Sequence, residues 1–163
     1  MKRIVCLILA FSVLLSGCGF FGERIREPVT FHYLCGNYQE ELCCVIVSEE
    51  REAAGHTGDL AYMMALYQMG PSGEELVSPL PPGTGIVTEV ENGHIFLELS
   101  DAAYALSDLE YSLACACLTL TCLDISDAES VTVTCGSRSK TMTRESIAMQ
   151  DAEVSTSPTE ENQ

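Results

Sequence analysis

The pair Asn92-Gly93 stands between two short β-prone runs, Ile86 to Glu91 and His94 to Leu99. Both residues tolerate the positive backbone angles of a two-residue type I′ turn, so this stretch is committed to a β-hairpin. A register follows from that loop: Val90 opposes Ile95, Thr88 opposes Leu97 and Ile86 opposes Leu99. These side chains share one face, while Glu89 and Glu91 point to the other, so one face is expected to pack and the other to be wet.

The flanking sequence supplies the layer that such a hairpin must pack against. Leu60, Met63, Met64 and Tyr67 recur at helical spacing, and Gly70-Pro71 ends the pattern, which predicts a helix from near Thr57 to Gly70. A proline-rich connection, with Pro79, Pro81, Pro82 and Gly83, leads from it to the hairpin. Beyond the hairpin, Ser100 or Asp101 is placed to cap a second helix. Leu106, Leu109, Leu113, Ala116, Leu120 and Leu123 form its apolar stripe, with a break near Ser107 and an end at about Leu123. Upstream, Val29, Phe31 and Tyr33 alternate with Thr30, His32 and Leu34, and Leu42 to Val47 is a second β-prone run. Cys35-Gly36-Asn37 between them offers turn chemistry for an antiparallel pair. Val131 to Gly136 alternates as a closing strand. The order strand, strand, helix, strand, strand, helix, strand predicts an α+β fold of about five mostly antiparallel strands with two helices on one face.

The helix ending in Gly70-Pro71, the approach Leu80-Pro81-Pro82-Gly83-Thr84, the Asn92-Gly93 turn and the second strand with Leu97 and Leu99 together resemble the GerMN domain of sporulation and germination proteins. Ala65 and Leu66 in the helix belong to the same likeness, which extends more loosely from Val29 to about Gly136. The resemblance covers a single such domain. It implies a fold like the ring-building domains of envelope complexes and a non-catalytic module that contacts other envelope proteins or itself. It implies no catalytic residue, cofactor or metal ligand.

The amino terminus reads as an address. Lys2 and Arg3 precede an apolar run from Ile4 to Leu15, too short to span a bilayer, which takes ~20 residues, but suited to an export signal. The run ends in Leu15-Ser16-Gly17-Cys18, which resembles the bacterial lipobox. That resemblance makes Cys18 the lipidation site, carrying a diacylglycerol thioether that anchors the chain to the extracytoplasmic face of the bacterial cell membrane. Durable anchoring takes two or more acyl chains, since one holds only weakly. The expected organisation is a signal peptide at 1–17, a lipidated tether at 18–28, the GerMN domain at 29–145 and a disordered acidic tail at 146–163.

Charge narrows the partners. Acidic residues outnumber basic ones 24 to 8, and loss of Lys2 and Arg3 with the signal leaves a balance of −18. Nucleic acid is therefore excluded as a partner. The cluster Glu49, Glu50, Arg51, Glu52 is expected to be a solvated strand end followed by a flexible link, Ala53 to Gly58, because neighbouring strand residues point to opposite sides.

Cysteines raise a competing chemistry. With Cys6 in the signal and Cys18 lipidated, Cys35, Cys43, Cys44, Cys115, Cys117, Cys122 and Cys135 remain, an odd number in an exported chain. Cys115 and Cys117 diverge by roughly 200° on a helix and share no ligand, whereas Cys115 and Cys122 share a face. Packing as small apolar residues, disulfide pairing and a metal or catalytic role all stand open. His32, His56 and His94 have no second histidine at ligand spacing and no nucleophile motif beside them, and His94 is expected to meet Glu91 as a solvated pair across the turn. Three functional readings follow: an envelope scaffold, a surface ligand-binding lipoprotein, and a cysteine-based redox or metal-binding lipoprotein.

Overall fold

The computed structural model describes residues 28–36, 45–53 and 55–147. In chain order it runs β1 (Pro28–Cys35), β2 (Ile46–Glu52), α1 (Leu60–Gln68), β3 (Leu76–Val77), β4 (Ile86–Glu91), β5 (His94–Leu99), a 3-10 turn (Asp101–Ala105), α2 (Asp108–Ile125), β6 (Ser130–Cys135) and β7 (Arg138–Met142). The architecture is α+β and the strands are mostly antiparallel, as the sequence pattern predicts. They form two sheets instead of one, ordered β2-β1-β3 and β4-β5-β6-β7.

The β4–β5 hairpin has the predicted register, from Ile86 opposite Leu99 to Glu91 opposite His94. Asn92 and Gly93 carry φ of 51° and 78°, the positive angles that a type I′ turn demands. Ile95, Leu97 and Leu99 are buried, while Val90 at the loop end stays 58% exposed. β5 and β6 pair in parallel, His94 with Ser130 through Glu98 with Thr134. Parallel pairing is what a crossover through α2 requires, since the helix returns the chain to the end where β5 began.

Several local expectations shift. α1 begins at Leu60, not near Thr57, because the Asp59 side chain accepts from the Tyr62 amide and fixes the first turn there. Gly70, at φ 83°, ends it as expected. Glu49 to Glu52 form the end of β2, antiparallel to β1 with Glu49 opposite Phe31; Glu50 and Glu52 are solvated as expected, while Glu49 and Arg51 turn half-buried toward the fold. The Glu49 carboxylate accepts from the Ser72 amide at 2.9 Å, which ties β2 to the loop after α1. Of the β-prone run, Leu42 to Cys44 lie outside the described residues. The sequence pattern foresees neither β3 nor β7. β3 is two residues long and shows no period. β7 places Arg138 and Lys140 at its inward positions, so its alternation is masked by charge. Within the described residues the packed module runs to Ile147, whose side chain is buried.

The break near Ser107 is real: Ser107 caps α2 through a reciprocal capping box with Glu110. Ser100 instead uses its hydroxyl to accept from the Gly85 amide at 2.8 Å, clamping the entry to β4. The leucine stripe is only part of the buried face of α2: Ala116 is buried and Leu120 and Leu123 pack half-buried against the core. Leu109 is 69% exposed, whereas Tyr111, Ala114, Cys115, Leu118 and Cys122 are buried at the same helical spacing. The run Ala114 to Thr119 is buried without a gap, because α2 packs both against β1 and against β6 and β7. Small side chains at Ala114, Cys115 and Cys117 let the helix sit close to both, where larger leucines would hold it off.

The first sheet packs through aromatics. Tyr33 and Tyr67 stack with centroids 4.8 Å apart and planes at 7°, and Phe31 lies tilted against Tyr67 at 5.9 Å. All three are fully buried, each contributing on the order of 1.5–3 kcal/mol of apolar burial.

Candidate functional site

Cys18, Cys43 and Cys44 lie outside the described residues. Of the other thiols, Cys115, Cys117, Cys122 and Cys135 are free and buried, and Cys35 is half-buried. Burial pushes Cys115 up to about 11 and Cys122 up to about 12, and burial with the neighbouring Cys115 pushes Cys117 up further still. These groups stay protonated at neutral pH and lack the thiolate that nucleophilic or redox chemistry uses. They behave as small apolar residues that let α2 sit close to the sheets. Among the described residues, no group of three or more His, Cys, Asp or Glu is placed to hold a metal ion.

The histidines serve the frame. His94 does not turn to Glu91, although the two are register partners. Its Nδ1 meets Ser130 Oγ, its Nε2 lies 2.8 Å from Thr132 Oγ1, and its ring tilts against Phe96 at 4.5 Å. Parallel pairing with β6 puts those hydroxyls within reach, a neighbour no local pattern reveals. His32 Nε2 lies 2.7 Å from Asp124 Oδ2, and Arg144 holds the other oxygen of that carboxylate. His56 stacks on Tyr62 at 4.2 Å beside the start of α1.

Cations are few, and two of the four among the described residues, Arg51 and Arg138, serve carbonyls at helix ends. Arg51 Nη1 donates to Leu66 O in the last turn of α1 and to Gly70 O just beyond it, at 3.2 and 3.0 Å. Arg138 does the same for the 3-10 turn, reaching Ala103 O at 2.6 Å and Leu106 O at 2.9 Å. Its guanidinium also lies over the Tyr111 ring at 4.4 Å. Lys140 Nζ donates to Ser112 Oγ at 2.9 Å. Among the described residues, Arg51, Arg138 and Lys140 make no ion pair with a carboxylate.

Two surfaces stand out. The outer face of the four-stranded sheet carries Val87 and Phe96, 66% and 39% exposed, between the acidic Glu89, Glu91 and Glu98 and a hydroxyl row of Ser130, Thr132 and Thr134. At the β7 end, a cleft of about 410 Å³ opens between the first turn of α2 and the β6–β7 hairpin, lined by Asp108, Tyr111, Ser112, Arg138 and Lys140. Neither arrangement pairs a nucleophile with a base and an orienting acid. Both are surfaces that another chain can contact.

Two sheets layered with helices, with a parallel β5–β6 pair and the α2 crossover, define the fold. The described domain has the fold of a GerMN domain. The tandem GerMN domains of the sporulation protein GerM from Bacillus subtilis match it with a TM-score of 0.51 at 19% identity, over 74% of this chain and 43% of that one. The first GerMN domain of the same protein matches with a TM-score of 0.50 at 13% identity, over 69% of this chain and 86% of that domain. The chain thus spans less than half of the tandem structure. No protein-family model and no curated protein matches the sequence. Among the described residues, no helix is long and apolar enough to cross a membrane.

Proposed function

We propose that this chain is a lipid-anchored extracytoplasmic lipoprotein whose GerMN-fold domain is a non-catalytic assembly module of an envelope complex, with a role in sporulation or germination. The observation that carries the reading is the match to the first GerMN domain of a sporulation protein over 86% of that domain. The lipobox-like sequence ending in Cys18 supports the anchor, and the −16 net charge disfavours nucleic acid. The raised thiols weigh against the cysteine-based alternative.

The test is in-cell cross-linking of the tagged, full-length chain in growing and in sporulating cells, with capture identified by mass spectrometry. Recovery of envelope proteins or of ladders of the chain itself is expected. Recovery of the chain alone, as a monomer, overturns the assembly reading. The anchor is tested separately: Cys18→Ala protein is expected to lose labelled fatty acid and leave the membrane fraction, and retention of both sinks the lipidation claim.

A further inference from the structure

Among the described residues, β7 is an edge strand, paired only with β6. The hairpin that joins them has a two-residue loop, Gly136-Ser137, with Cys135 opposite Arg138. In such a hairpin the residues that flank the loop exchange both backbone hydrogen bonds, and the next pair exchanges none. The N–H and C=O groups of Ser139 and Thr141 therefore face away from β6. Among the described residues, no backbone hydrogen bond reaches either of them from outside the hairpin.

Alternation sets what lies beneath that edge. Arg138 and Lys140 point inward, two residues and roughly 7 Å apart, and both line the cleft of about 410 Å³ beside the first turn of α2. Lys140 commits one of its three donors, to Ser112 Oγ, and the buried Nε of Arg138 has no acceptor among the described residues. An apolar strand added to this edge would strip water from Lys140 and leave the ammonium unpaired, which is how inward charges keep edge strands from joining indiscriminately. A strand that brings carboxylates to the same face removes that penalty and gains charge-assisted hydrogen bonds.

We propose that β7 and the cleft beneath it dock an extended segment of a partner protein that carries acidic side chains at alternate positions. The segment adds to the sheet through the amide and carbonyl groups of Ser139 and Thr141, and its carboxylates enter the cleft on the Lys140 side. Asp108, on the opposite wall, confines them to that side. The proposal rests on the assembly reading above and names the surface and the partner chemistry.

The test uses the full-length chain in detergent micelles and a fluorescently labelled peptide of alternating glutamate and threonine, followed by anisotropy. The same peptide with glutamine for glutamate is the control. Binding of the acidic peptide alone is expected, weakened about tenfold by Lys140→Gln and tightened by Asp108→Asn. Ser139→Pro deletes an outward amide and spares the β6 ladder, so it is expected to abolish binding while thermal unfolding stays close to that of the parent chain. Equal binding of the two peptides, or binding indifferent to both Lys140→Gln and Ser139→Pro, overturns the proposal. So does displacement by inorganic phosphate with no effect of Ser139→Pro, which would make the cleft a simple anion site. Sedimentation that reveals self-association through β7, lost in Ser139→Pro, overturns it in favour of a second copy. Peptide failure alongside successful cross-linking in cells removes this surface only, whereas failed cross-linking removes the assembly reading itself.

Discussion

The backbone amide of His32 donates to Thr121 Oγ1 at 2.9 Å, across 89 residues of sequence. The carbonyl of the same residue accepts from Tyr67 OH, also at 2.9 Å. β3 covers β1 only at Leu34 and Cys35, so these two side chains take over where the ladder stops and satisfy an edge that water does not reach. Helix and sheet are joined there by polar groups inside an apolar layer.

That relationship separates two threonines that lie two residues apart on α2 and point to different sides of it. Thr121→Val leaves the His32 amide without an acceptor and is expected to cost about 1–3 kcal/mol in urea unfolding. Thr119 Oγ1 is buried with no partner among the described residues, so Thr119→Val is expected to be neutral or to stabilise by up to about 1 kcal/mol. Equal losses in the two variants would contradict the assignment.

Gly136 is held open by a tyrosine. A Cβ at this position, which has φ 55°, would lie 1.5 Å from Tyr104 Oη, so Gly136→Ala must displace the ring that covers the β6–β7 turn. A loss of roughly 1–3 kcal/mol is expected, from the strained backbone and the displaced ring together. Adding Tyr104→Ala to Gly136→Ala should recover part of it. A melting temperature unchanged by Gly136→Ala would show that the turn relaxes freely.

Asp124 links the acid limb of stability to the join between α2, β1 and the segment after β7 that carries Arg144. Partial burial pushes its carboxyl up, but hydrogen bonds from His32 and Arg144 outweigh this and hold it below the usual value. A depressed folded-state pKa contributes stability that is present above the unfolded value and is lost as pH falls through the folded one. Asp124→Asn should therefore lower the unfolding free energy near neutrality and converge with the parent chain in strong acid. A difference that stays constant with pH would show that the carboxylate charge plays no part.

The thiols of α2 supply a further check. Because burial keeps Cys115, Cys117 and Cys122 protonated, alkylation at neutral pH should reach them only on unfolding, at a rate that follows the unfolding equilibrium. Mass spectrometry of labelled peptides reads this directly. Rapid modification of any one of the three in the folded protein would reopen a cysteine-based chemistry.

Local chemistry in the sequence determined the hairpin, its register, the end of α1 at Gly70 and the break before α2, because turn angles, caps and side-chain alternation act over a few residues. The likeness to GerMN domains rests on those same turns and caps. Tertiary structure alone decided that the strands divide into two sheets, that β5 and β6 run parallel and that α2 buries its cysteines instead of Leu109. Each of these depends on which elements meet across long stretches of chain. A helix contacted on more than one side has no single apolar stripe to read. The inward charges of β7 were likewise hidden, since Arg138 finds the carbonyls of Ala103 and Leu106, and Lys140 the Ser112 hydroxyl, only once the helix and the edge strand have come together.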